Sequence, residues 1–281
     1  HDARLDRQVH LRAMLAREVQ TAIERGELEL RYRPQVHIPT GNIVGLETQV
    51  LWNHPSRGII KSDTLLAVAE RVGMMRVIGE WACQEACAQL RSWLDHGLAP
   101  PVIAIDMSLG QLKATGIVAG LNACLEAHGI GTDRLELEFE EHVFTQTLER
   151  YPTTLEKLRN SGYRIAITNF GSGYAPISYL AKLPVQRVKM PGSMVAEALN
   201  SAASAKAIRA IVSLARTIGA EVIADGVETP MQAAFLLAAD CENAQGRLFG
   251  PLLSALDATL LLRGANIEHP GLAGHRRFSV A

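Results

Sequence analysis

The sequence has almost no net charge, few cysteines and no long apolar run, and each shortage removes a class of function. Lys and Arg number 28 against 29 Asp and Glu, a formal net charge of -1. No broad basic field is therefore available for nucleic acid or for an anionic lipid surface, and nucleic acid is not expected as a partner. No apolar run is long enough to span a bilayer, so direct membrane insertion is not expected. The N-terminus is charged and lacks the basic, apolar, small-residue order of a secretory signal. The four cysteines are Cys83, Cys87, Cys124 and Cys241. Cys83 and Cys87 share a helix face in "EWACQEACAQL", but no nearby second pair completes a zinc site. All four read as plain buried or half-buried thiols in a reducing cytoplasm.

What is present is a core. Of 281 residues, 48% are apolar, enough for one large soluble globular domain or two small ones. The chain opens on His rather than Met, which suggests a longer parent. "LDRQVHLRAMLAREVQTAIERGELEL" begins with helical periodicity: Leu11, Met14, Leu15 and Val19 recur at three- and four-residue steps, and Gly26 stops the helix. This segment reads as an N-terminal linker helix over 1–18, continuing to about 25. It suits a connection to an upstream domain or pairing with a second copy as a homodimer. Strands and helices then alternate. Strands are expected at 28–36, 41–52, 102–108, 134–139, 163–170, 185–190, 220–226 and 242–246. Helices are expected near 63–73, 78–96, 192–218, 230–239 and 255–263, with others after 108 and 139. The first two strands are close enough to pair as a hairpin. Runs such as "VIAI" and "EVIA" are apolar on both faces, as in strands covered on both sides. The fold class is α/β, best a (β/α)8 barrel, with a doubly wound open sheet as the alternative. The hairpin suggests that one strand runs antiparallel. The barrel domain is expected over 19–265, followed by an irregular tail over 266–281.

In a barrel the C-terminal ends of the strands converge on one site. Those ends offer Glu47, Asp106, Glu138 with Glu140 and Glu141, Thr168 and Asn169, Lys189, Asp225 with Glu228, and Gln245 with Gly246. Carboxylates from different strands facing one mouth need a cation or protons to coexist. A lysine among them neutralises part of the charge or orients a water. The functional reading is a divalent-metal site for phosphate-ester chemistry; the alternative is a set of solvated charges at loop starts.

Taken in order, these positions resemble the EAL domain, the bacterial family that hydrolyses cyclic di-GMP. The resemblance runs from about Glu18 to Leu253. "LRYRPQV" is similar to the family's opening strand, and "GNIVGLETQVLWNHPSRGII" to its EAL stretch. "IAIDMSLGQL", "LELEFEE", "IAITNFGSGYAPISYLAKLPVQRVKM", "EVIADGVETPMQ" and "AQGRLFG" are similar to the motifs that follow. The resemblance implies a modified TIM barrel with an antiparallel first strand. It also implies two-metal hydrolysis with Mg2+ or Mn2+ and a parent of the GGDEF–EAL type.

The departures from the family fall at functional positions. Glu47 stands in place, but Thr48 and Gln49 follow it, and Leu51 replaces a phosphate-gripping Arg. Asp106 replaces an Asn ligand, and Thr168 and Asn169 replace a metal-anchoring Asp pair. Glu138, Glu141, Lys189 and Glu228 are kept, Asp225 shortens a Glu, and Arg33 replaces a Gln near the guanine base. Neutral Thr and Asn are poor substitutes for carboxylates, because charge supplies most of the affinity for a hard cation. The sequence expectation is therefore a degenerate, catalytically inactive domain that works in cytoplasmic cyclic di-GMP signalling through a protein partner. Lys189, Asp225 and Glu228 are read as catalytic remnants. A metal-independent cyclic di-GMP receptor using Arg33, Gln49, Glu228, Gln245 and Gly246 is the first alternative. Residual phosphodiesterase activity is the second. No cofactor is expected to be required, with Mg or Mn only at a vestigial Glu47, Asp106, Glu138 site. The parent could be anchored in a membrane upstream.

Overall fold

The computed structural model describes residues 17–98, 100–113, 116–173 and 185–264. Nine strands form one sheet: β1 (Leu28–His37), β2 (Ile43–His54), β3 (Gly58–Ile60), β4 (Ile103–Asp106), β5 (Leu135–Glu140), β6 (Arg164–Thr168), β7 (Arg187–Met190), β8 (Glu221–Ala224) and β9 (Asn243–Ala244). Eight of them close on themselves in the order β1, β2, β4, β5, β6, β7, β8, β9 and back to β1, while β3 hangs from β2. β1 is antiparallel to both its neighbours, and the other staves run parallel from β2 round to β9. The reason is local. Only five residues separate β1 from β2, with Gly41 at φ 74, and so short a link permits a hairpin but no crossover. The open-sheet alternative is set aside because β9 bonds β1 and completes the ring. The short strand β3 was not foreseen.

The outer layer comprises α1 (17–24), α2 (Ser62–Val72), α3 (Met75–Asp95), α4 (Leu109–Leu112), α5 (Ile117–Ala127), α6 (Glu141–Arg150), α7 (Pro152–Asn160), α8 (Gly192–Glu197), α9 (Ala202–Ile218), α10 (Pro230–Ala238) and α11 (Ala255–Leu262). The single helix expected over 192–218 is two, because Ser201 leaves the helix and its hydroxyl accepts from Ser204 N, starting α9 afresh. Leu11, Met14, Leu15, Tyr174 and the tail from 266 lie outside the described residues. No helix among the described residues is long and apolar enough to cross a membrane.

Inside the barrel, strand alternation stacks side chains in layers two residues apart. The lower layer is ionic. Arg187, 3% exposed, donates through Nη1 to Glu136 Oε1 at 3.0 Å and to Gln35 Oε1 at 3.1 Å, and through Nη2 to Glu221 Oε2 at 2.7 Å. Arg164 Nε donates to the other Glu136 oxygen at 3.3 Å. Gly45 leaves the space for Gln35, since a Cβ there would lie 2.5 Å from Gln35 Oε1.

Removing one partner of such a pair strands the other charge in the interior, which costs about 3–5 kcal/mol. Arg187→Met is expected to lose that much stability in urea unfolding. Arg187→Met combined with Glu136→Leu is expected to recover most of it.

Candidate active site at the barrel mouth

One layer above the Arg187 pair, the same alternation brings Glu138 of β5, Lys189 of β7 and Glu47 of β2 together. Lys189 Nζ lies 2.8 Å from each Glu138 oxygen and 3.0 Å from Glu47 Oε2. Gln245, just past β9, donates through Nε2 to Glu47 Oε2 and, at 3.0 Å, to Asp225 Oδ1. Asp225 Oδ1 also accepts from Gly226 N at 2.6 Å and faces Arg33 Nη1 at 3.7 Å. Arg33 Nη2 reaches Gln49 Oε1 at 3.5 Å. One continuous polar network thus runs from Glu138 through Lys189, Glu47, Gln245 and Asp225 to Arg33 and Gln49. Gln245 Oε1 is buried and has no hydrogen-bond partner among the described residues. An orphaned acceptor in such a place is a position for a ligand donor, a water or a cation.

The charges do not balance. Burial opposes the charge on Lys189, but Glu138 and Glu47 outweigh it and hold the amine above the usual lysine range. Burial also opposes the Glu47 charge, and Lys189 and Arg33 overcome it, so Glu47 stays below the usual carboxylate range. Burial raises Glu138 to about 8, with Lys189 opposing and the Glu47 and Asp106 charges adding. Asp106 ends β4 with its outer side open to solvent. Desolvation among the packed strand ends, then the Glu47 charge, lifts it to about 7. Three acids around one ammonium leave a surplus of negative charge that either protons or a second cation must relieve.

The loop after β6 is shaped from below. Asn169 adopts φ 54, a left-handed conformation that Asn tolerates. Glu141 Oε2 accepts from Gly171 N and from Gly173 N, both at 3.0 Å. That carboxylate, at the first residue of α6, holds the loop shape although Thr168 and Asn169 carry no charge. Thr48, next to Glu47, is buried and donates to Ala104 O at 3.0 Å, joining β2 to β4. Gly246, at φ 145, passes so close to the Val227 backbone that no side chain fits. Glu228 is not in the network: its side chain is 58% exposed and its cationic neighbour is Arg247, 3.9 Å away.

The residues suit a hard divalent cation, since Glu47, Asp106 and Glu138 are oxygen donors with charge to spare. They suit one ion better than two, because β6 supplies no carboxylate. Their oxygens do not close to within 4.8 Å of one another as a trio; Lys189 stands among them. Sequence reasoning missed the Arg187–Glu136 layer beneath and the loop-holding role of Glu141. The alternation of Glu136 with Glu138 and of Arg187 with Lys189 was the available signal.

The EAL domain family model matches residues 16–251. The chain belongs to the EAL family. It is 36% identical over 236 residues to the bifunctional diguanylate cyclase/cyclic di-GMP phosphodiesterase MucR of Pseudomonas aeruginosa, covering 84% of this chain and 34% of that protein. It is 33% identical over 245 residues to the cyclic di-GMP phosphodiesterase NbdA of the same organism, covering 86% of this chain and 31% of that protein. The solved MucR phosphodiesterase in complex with cyclic di-GMP superposes with a TM-score of 0.81 at 34% identity, over 87% of this chain and 99% of that one. The chain spans about a third of the length of the curated relatives it matches. These relatives correct the expectation of an inactive domain: they are named phosphodiesterases, and they point to an enzyme. The physical reason is that losing the β6 acids thins the ligand set without emptying it. Glu47, Asp106, Glu138 and Lys189 all remain at the strand tips.

Glu141→Ala leaves the Gly171 and Gly173 amides without their charged acceptor. A loss of about 2–3 kcal/mol is expected in urea unfolding, with faster amide exchange at Gly171 and Gly173.

Proposed function

We propose that this chain is the metal-dependent cyclic di-GMP phosphodiesterase module of a signalling protein, slowed by its neutral β6 tip. The observation that carries the reading is the buried network at the barrel mouth, with its surplus negative charge and the orphaned Gln245 Oε1. Glu47, Asp106 and Glu138 are the residues that would hold Mg2+ or Mn2+, and such an ion polarises a phosphoryl oxygen and makes bound water more acidic.

The chain's own groups have distinct parts. Lys189 Nζ keeps its proton at neutral pH and is a fixed positive charge for a phosphodiester oxygen as negative charge develops there. Gln245 orients the Glu47 and Asp225 carboxylates through its amide and leaves Oε1 for the ligand. Arg33, at the rim, is suited to a phosphate or to stacking on a guanine base. Thr168 and Asn169 add no charge, so an ion at this site would be held by fewer acids, which would slow the reaction.

Chromatography of cyclic di-GMP incubated with the protein and Mn2+ tests this. A linear dinucleotide product, abolished by EDTA and by Glu47→Gln, is expected. Nucleotide recovered intact, with binding that ignores Mn2+, would sink the reading. The pH dependence has a definite sign. Asp106 and Glu138 must lose protons to take a cation, so Mn2+ affinity is expected to rise from pH 6 to 8. The slope is on the order of tenfold per pH unit for each proton released. Asn169→Asp restores an acid where the backbone already accommodates it. It is expected to raise turnover roughly tenfold, about 1.4 kcal/mol of barrier; an unchanged rate would remove β6 from the account.

A further inference from the structure

On the outer layer, away from the mouth, three of the four cysteines meet. Cys83 and Cys87 lie one turn apart on α3 and face α5, where Cys124 completes a triangle. Their three sulfurs lie within 4.8 Å of one another, and Cys83 Sγ is 3.5 Å from Cys124 Sγ. All three residues are buried, at 3%, 1% and 4% exposure. Cys241 is the contrast: it sits alone, with Sγ 3.6 Å from Asn243 O.

The spacing has a chemical meaning. A cation bound by thiolates at about 2.3 Å places its sulfurs roughly 3.8 Å apart in a tetrahedron and roughly 4.0 Å apart in a triangle. The trio therefore needs shifts of no more than about an ångström to surround one ion. Its surroundings suit that as well. A cleft of about 440 Å³ is lined by Cys83 and Cys124, with Gly116 and Gly120 in its wall, and it supplies both an access route and room for a fourth donor. His128 follows Cys124 by one helical turn, its Nδ1 2.8 Å from Cys124 O.

We propose that Cys83, Cys87 and Cys124 form a site for one soft, thiophilic d10 cation, Zn2+ or Cu+, which clips α3 to α5. Three thiolates select such ions over the hard cations that suit the carboxylates of the mouth. The fourth donor is a water from the cleft.

The test uses the reduced chain, kept free of oxygen and titrated with Co2+ as a spectroscopic stand-in for Zn2+. One equivalent is expected to give an intense near-ultraviolet thiolate-to-cobalt band that Zn2+ bleaches. Cu+ added from a chelator of known affinity separates the two candidate ions. Bound Zn2+ should also protect three thiols from a thiol reagent and raise Tm. Cys124→Ser and Cys83→Ala, with helix content checked by circular dichroism, are each expected to weaken Zn2+ binding by more than roughly a hundredfold. Cobalt bound without the band, as at the mouth carboxylates, would overturn the proposal. So would thiols that stay fully reactive under Zn2+, a measurement on the unsubstituted chain that no folding defect can confuse. A Cys83–Cys124 disulfide found by mass in place of metal would overturn it too.

Discussion

The buried ammonium of Lys189 is the interaction on which the mouth of this barrel depends. Without it, Glu47 and Glu138 would face each other inside a closed ring of strands with only Arg33, at the rim, as a counter-charge. Three hydrogen bonds from one nitrogen draw β2, β5 and β7 toward a common point. Gln245 then extends that point to β9 and the end of β8. Five strands of the barrel are thus tied into one network around a single ammonium. The arrangement is stiff because Lys189, Glu138, Glu47 and Gln245 are buried and most of their polar atoms are paired, and an interior of low dielectric strengthens each bond.

The Arg187 layer beneath repeats the device one step lower, with Glu136 and Gln35 in place of Glu138 and Glu47. Two ionic layers are costly to build, since each charge gives up water. They are tolerable here because each guanidinium or ammonium meets its acids at hydrogen-bond distance. Most barrel interiors are filled by branched apolar side chains. This one gives up part of that apolar packing for a mouth whose carboxylates are held in position.

The loop after β6 shows how geometry and chemistry separate. Its shape comes from Glu141 beneath it and from glycines within it, not from the residues at its tip. The residues at its tip can therefore change from acids to Thr168 and Asn169 while the backbone stays as it is. The expectation of an inactive domain rested on this tip together with Leu51, Asp106 and the other departures from the family pattern. The remaining acids belong to other strands, and the chain's relatives include named cyclic di-GMP phosphodiesterases. The surplus of acid over base at the mouth gives a physical ground for cation binding that a count of missing residues overlooks.

Much was legible in the chain itself. The alternation of strand and helix, the short link between β1 and β2, and the ordered motifs around Glu47, Asp106, Glu138, Lys189 and Asp225 led to the barrel and its antiparallel stave. These are properties of spacing and polarity, which local chemistry determines. What only the tertiary structure decided is which charges meet. Lys189 and Glu138 are 51 residues apart, and Lys189 and Glu47 are 142 apart. No local pattern says that the amine stands between the two acids, that Glu228 turns outward to Arg247, or that Cys124 comes to rest against Cys83. Strand register and barrel closure set those distances, and both are cooperative outcomes of the whole ring.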